Sequence, residues 1–113
     1  MTIFETHAHL DFGQFDPDRD AVFERARAAG VARIVNIALS PDVVPKTLAL
    51  TERPGLYAAI GIHPHEAGRF RGEALEAALE RLAGWLDHPR VVALGEMGLD
   101  YYRDYAPAAA QRA

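Results

Sequence analysis

Two histidines, His7 and His9, stand one residue apart in "ETHAHLD", directly behind the apolar pair Ile3 and Phe4. In a strand, positions i and i+2 share a face, so both imidazoles project the same way. A neutral pair placed so closely suits a divalent transition ion, and the two rings repel each other when both are protonated. The plainer alternative is a half-exposed strand end whose histidines tolerate solvent. The strand-end location and Asp11 just beyond favour the metal. Glu96 closes the apolar run "VVALGE". A carboxylate at the end of a buried strand is costly unless it is paired or metal-bound. It reads as a third ligand able to bridge two ions, or else as the partner of an arginine such as Arg103. The chain contains no cysteine. Disulfides and thiolate zinc sites are therefore excluded, and any metal must be held by imidazole and carboxylate.

Two further stretches carry reactive side chains. In "GIHPH", Pro64 biases His63 out of the helical region and holds the chain extended. His63 is then suited to contacting a phosphate oxygen or a bound water, or to structuring its loop. His65 fits better as a partner of neighbouring groups. In "GEMGLDYY", Asp100 is placed to orient a ligating histidine through its second N–H. Tyr101 and Tyr102 either pack locally or stack a nucleobase. Arg69, Arg71 and Arg103 lie in loops on the same side and are weak candidates for phosphate contacts. His88, between a helical stretch and the fourth apolar run, reads as ordinary surface at the opposite edge.

These residues need elements to position them. Four apolar, β-branched runs occur, "TIFETH", "ARIVNIA", "GLYAAIG" and "VVALGE", and at least three lead into helices. The first helix is expected within 16–29, with Asp16 as its cap, Pro17 at its first position, Gly30 as its stop, and Val22, Phe23 and Ala26 as its apolar stripe. The second is expected behind Ser40, with Val43, Val44 and Leu48 inward and Pro54 marking its end. The third is "EALEAALERLAGWLD", with Leu75, Leu79, Leu82 and Leu86 spaced four, three, four. Between the third run and this helix, "IHPHEAGRF" reads as a loop. Strands this continuously apolar belong to a parallel sheet covered by helices. The chemistry-bearing residues follow the strands, as at the mouth of a βα barrel, and the glycine-rich fingerprint of a doubly wound nucleotide-binding sheet is absent. The expected fold is therefore α/β, a TIM-type (βα)8 barrel. A full barrel takes ~250 residues, so residues 1–113 read as the N-terminal half of a single barrel, with four strands and three helices.

Composition bounds the partners. Half of the residues are hydrophobic and the formal charge is −4, with no Lys/Arg-rich block. A broad sequence-independent DNA footprint normally needs such a block, so any nucleic acid would be gripped locally, with metal help. The N-terminus lacks the pattern of a signal peptide, and no apolar run approaches the ~20 residues of a membrane span. The expectation is a soluble, cytoplasmic protein without a membrane partner.

Together, "ETHAHLD", "AAIGIHPHEA" and "VVALGEMGLDYYRD" resemble, in order and spacing, the successive signatures of the TatD family of metal-dependent deoxyribonucleases, in the amidohydrolase-like barrel group. The resemblance runs over essentially the whole chain and covers the N-terminal half of the family pattern. It implies one or two divalent ions (Mg2+, Mn2+ or Zn2+) held by His7, His9 and Glu96, with Glu96 the bridge between two ions. It also implies hydrolysis of DNA, commonly from a 3′ end or on single strands; His63 and Asp100, read from the motifs themselves, are the candidate catalytic residues. Ala8 stands where relatives often have cysteine and Met97 where isoleucine is common; neither touches the implied chemistry. The pattern continues with two histidines and an aspartate from later strands, which this chain does not contain. The 113-residue chain alone is therefore expected to be inactive, and to self-associate or pair with the missing half through bare outer strands. The alternatives are a small-molecule hydrolase of the same superfamily, disfavoured by "GEMGLD" because many such enzymes carry a modified lysine at the place of Glu96, and a non-catalytic half-barrel.

Overall fold

The computed structural model describes residues 1–113. Four strands, β1 (Ile3–Ala8), β2 (Val31–Ala38), β3 (Leu56–Ile60) and β4 (Val91–Leu94), form one parallel sheet in the order β1-β2-β3-β4. Helices α1 (Arg19–Ala28), α2 (Val44–Leu50) and α3 (Glu73–Ala83) connect them, and a short α4 (Ala108–Gln111) ends the chain. Sequential parallel strands joined by helical crossovers are the repeating unit of the (βα)8 barrel, here with its first four strands. No helix is long and apolar enough to cross a membrane.

The inner strands are apolar because both of their faces are covered. On one face, Ile34 packs with Phe23, Leu50 and Leu56, while Ala38 joins Val44, Ala58, Ile60 and Leu82 beneath the helices. The alternating residues Val35, Ile37 and Ala59 form a separate cluster with Tyr57. Such two-sided burial is what a continuous apolar run in a parallel sheet signifies. The outer strands differ: Phe4 on β1 and Val92 and Leu94 on β4 are more than half exposed. The Cα radius of gyration is 15.0 Å, against roughly 13 Å for a compact domain of this length. The sheet is an open arc.

The helices depart from expectation in four places. Asp16 does not cap α1, which begins at Arg19 behind Asp18. Its carboxylate is taken instead by Arg19 and by Lys46, the latter at 3.1 Å. Arg19 also donates to the carbonyls of Leu10 and Phe12 at 2.6 and 3.0 Å, which ties the loop after β1 to the start of the helix. Residues 41–43 form a turn, closed by the Val43 N–H on the Ser40 carbonyl, before α2 starts at Val44. Pro45 falls in the first turn of α2, and Val44, Thr47 and Leu50 are its buried residues. On α3 the buried line runs through Ala78 and Leu82. Leu79 lies at the margin of that stripe and Leu86 beyond the end of the helix, and both are nearly half exposed. The stretch expected as a loop contains a 3-10 helix, Pro64–Arg69.

Candidate metal centre

The segments that follow the strands meet at the C-terminal edge of the sheet, where barrel sites form. His7 lies near the end of β1 and His9 just after it, His63 follows β3, and Glu96 follows β4. His7 Nε2 is 3.1 Å from Glu96 Oε2, and His63 Nε2 is 3.4 Å from Glu96 Oε1. One ligand atom from each of His7, His9 and Glu96 lies within 4.8 Å of the other two. Donors held at about 2.0–2.2 Å from a common ion lie within about 4.4 Å of one another, so small side-chain rotations suffice. The basic side chains within 4.0 Å of the Glu96 carboxylate oxygens are imidazoles, and no ion pair links it to Arg103.

The histidines are oriented from behind. His9 Nδ1 faces the carbonyl of Ile37 at 3.1 Å. A carbonyl only accepts, so Nδ1 carries the proton and Nε2 is left with its lone pair, as a metal ligand requires. Phe12 stacks on the same ring, with centroids 5.0 Å apart. The His7 backbone N–H donates to Glu5 Oε1 at 2.8 Å. Two imidazoles and a carboxylate, one imidazole with its tautomer fixed by a backbone acceptor, are a donor set that fits a divalent ion.

His63 has φ −59° and ψ 142°, the extended conformation that Pro64 imposes. Its backbone N–H donates to the Leu39 carbonyl at 2.8 Å. Burial pulls the His63 imidazole below its ordinary value; the Glu96 charge opposes this, and His65 and His9 add to it. Gly61 permits the close approach of the next loop. A Cβ there would lie 3.0 Å from the carbonyl carbon and oxygen of Gly95 and 3.2 Å from the oxygen of Glu96.

The remaining candidates fall around this group. Asp100 orients neither His7 nor His9. Its Oδ2 accepts from His65 Nε2 at 2.6 Å, and its Oδ1 accepts the backbone N–H groups of Tyr102 and Arg103. The His65 hydrogen bond, helped by these backbone donors, holds the Asp100 carboxyl below the usual carboxylate range. Asp11 is buried and turns to Asn36 Nδ2 at 2.9 Å, away from the histidine pair. Tyr101 and Tyr102 are exposed, and Arg103 lies over the Tyr102 ring. Arg69 is engaged by Glu66 and Asp42. Arg71 is exposed. His88 is half-buried before β4, where its Nδ1 accepts the Arg90 N–H.

Sequence reasoning missed Asn36. Fully buried on β2, it accepts the Leu10 N–H at 2.5 Å and donates to Asp11 and Thr47, so it fastens the loop after His9 to the sheet. The signal was available: it is the one amide inside "ARIVNIA", and a buried amide must find partners. Gln111, which bonds both the N–H and the carbonyl of Asp100, carried no such signal.

A parallel βα arc with two histidines and a glutamate gathered at its C-terminal edge has the form of a partial (βα) barrel with a candidate metal centre. The sequence pattern of the family described as TatD related DNase matches residues 4–113, and the chain belongs to that family. It is 40% identical over 111 residues to the Bacillus subtilis protein named uncharacterized metal-dependent hydrolase YabD, covering 97% of this chain and 42% of that protein. It is 37% identical over 110 residues to the 3'-5' ssDNA/RNA exonuclease TatD of Cronobacter sakazakii, covering 96% of this chain and 40% of the relative. The crystal structure of the TatD homologue YjjV from Escherichia coli superposes with a TM-score of 0.83 at 35% identity, over 97% of this chain and 42% of that one. The chain thus spans about two-fifths of the length of the relatives it matches.

Proposed function

We propose that residues 1–113 are the N-terminal part of a single (βα)8 barrel that hydrolyses DNA phosphodiester bonds, acting from 3′ ends of single strands. His7, His9 and Glu96 hold one or two divalent ions. The observation that carries this reading is the convergence of these three side chains, from β1 and from the segment after β4, within 4.8 Å. The name of the Cronobacter relative supports the substrate class and polarity.

When bound, a divalent ion supplies Lewis-acid stabilisation of phosphoryl charge and an acidified water. The chain's own residues do the rest. His9 presents Nε2 because Ile37 holds Nδ1–H. Glu96 presents one oxygen to His7 and the other to His63. His63, whose Nδ1 accepts the His65 backbone N–H, offers its Nε2–H to an anionic oxygen.

The other ligands and the closing strands lie in the remainder of the barrel, so the 113-residue chain alone is inactive. A second reading has its own observation: β1 and β4 each pair on one side only and expose Phe4, Val92 and Leu94, which suits a half-barrel that self-associates.

The test joins this chain to the C-terminal part of the Bacillus relative and assays a 3′-labelled single-stranded oligonucleotide beside a lactone panel, with and without Mn2+. Metal-dependent shortening of the DNA by the chimera, and none by the 113-residue chain, is the expected result. Lactone hydrolysis without DNA cleavage would replace the nuclease reading, and chelator-sensitive DNA degradation by the pure chain would refute its inactivity.

A further inference from the structure

The two histidines of "GIHPH" differ in what holds them. His63 Nδ1 accepts the backbone N–H of His65 at 3.1 Å. A neutral imidazole whose Nδ1 accepts must carry its proton on Nε2, and that nitrogen faces Glu96 Oε1 at 3.4 Å. His65 in turn has Nε2 at 2.6 Å from Asp100 Oδ2. A carboxylate accepts, so His65 also carries its proton on Nε2. The two rings meet edge-on with centroids 4.4 Å apart, and Tyr105 closes the far side of His65 at 4.7 Å. Asp100 is itself fixed at its backbone N–H and carbonyl by Gln111, which also donates to the Ala106 carbonyl.

We propose that Asp100 and His65 are positioning residues that lock His63 in its Nε2–H tautomer, making it a hydrogen-bond donor at the candidate metal centre. Asp100 anchors the His65 ring, the anchored turn presents its N–H to His63 Nδ1, and the proton of His63 is left aimed at Glu96. In that state Nε2 has no lone pair, so His63 is excluded from ligating through it. It instead fixes which carboxylate oxygen of Glu96 turns to His7, and it is a donor at that edge for an incoming anionic oxygen. Only this last role rests on the phosphodiester reading proposed above. The lock itself is a property of the chain and is measured without metal or substrate.

The experiment is long-range 1H–15N correlation of the imidazoles in the full 113-residue chain, metal-free, at a pH where the rings are neutral. Wild type is expected to show single Nε2–H patterns for both His63 and His65. Asp100→Asn keeps the Oδ1 acceptor for Tyr102 and Arg103 but turns an amide N–H toward His65, so His65 should switch to Nδ1–H and His63 should lose its single-tautomer pattern. His65→Ala should cause the same loss at His63, and His65→Gln, which retains a donor toward Asp100, should restore the pattern. An Nδ1–H pattern for His63 in wild type overturns the proposal. So does an unchanged His63 pattern in folded Asp100→Asn and His65→Ala variants. Should those variants unfold, the two wild-type patterns decide alone. Locked tautomers in the chain beside a chimera that neither binds Mn2+ nor cleaves DNA would sink the hydrolase reading and leave this one standing.

Discussion

His7 Nε2 and Glu96 Oε2 lie 3.1 Å apart although they belong to opposite edges of the sheet. Three strand spacings separate β1 from β4, about 14 Å in a flat sheet. Only a curled sheet, with the segment after β4 folded back toward its axis, lets these side chains touch. The same contact therefore reports both the barrel-like curvature and the assembly of the donor group.

Replacing Glu96 by glutamine keeps its shape and removes the charge that two imidazoles face. The expected outcome is Mn2+ binding weakened about tenfold or more, read by calorimetry. His88→Ala, away from this edge, should bind as wild type does. Equal affinity in the glutamine variant would remove Glu96 from the ligand set.

Gly61→Ala places a methyl group against the backbone of Gly95 and Glu96 at 3.0–3.2 Å. The strand-end loops must separate, which costs about 1–3 kcal/mol and draws Glu96 away from His7. Urea unfolding and Mn2+ titration should both register the change; a variant indistinguishable from wild type in both would show that the loops yield freely.

Asn36→Ala leaves the buried Asp11 carboxylate and the Leu10 N–H without their partner. Unsatisfied buried polar groups cost about 1–3 kcal/mol each, more when charged, so the loss should exceed that of a single hydrogen bond. Chemical denaturation measures it, and a loss below about 0.5 kcal/mol would show that Asp11 finds water instead.

Val92→Lys puts a charge on the outer strand β4, a device that blunts edge pairing. Sedimentation of the 113-residue chain should show association in wild type and less in the variant. A wild-type chain that stays monomeric at every concentration would mean the exposed edges do not pair.

Arg81 foremost, and then Arg69, hold the Asp42 carboxyl below its ordinary value of 3.8. A folded value below the unfolded one gives stability that is complete above the unfolded value and lost as pH falls through the folded one. All three side chains are substantially exposed, so screening limits the effect to about 1 kcal/mol or less. Asp42→Asn should thus lower stability slightly at neutral pH, flatten the acid limb of a urea midpoint profile, and converge with wild type at high salt. An unchanged acid limb would show that the pair contributes nothing.

What sequence alone could reveal depended on range. The strands were legible because burial on both faces writes a continuous apolar run, as in "ARIVNIA". His7 and His9 were legible because a two-residue repeat fixes a shared face. The start of α1 was not, since Asp16 has capping chemistry but Arg19 and Lys46 compete for it. The exposure of Leu79 was hidden because periodicity marks a stripe without showing how far the sheet reaches beneath it. The partner of Asp100 also escaped, because His65 returns to it through tertiary folding, which spacing does not encode.

The central claim is that the imidazoles of β1 and the glutamate after β4 bind one cation. Pulsed EPR of Mn2+ bound to the 15N-histidine-labelled chain tests it most directly. Coupling to two histidine nitrogens is predicted, with one coupling lost in His7→Ala, one lost in His9→Ala, and the bound ion largely lost in Glu96→Gln. Mn2+ that binds with no histidine coupling, or with couplings untouched by those substitutions, would contradict it.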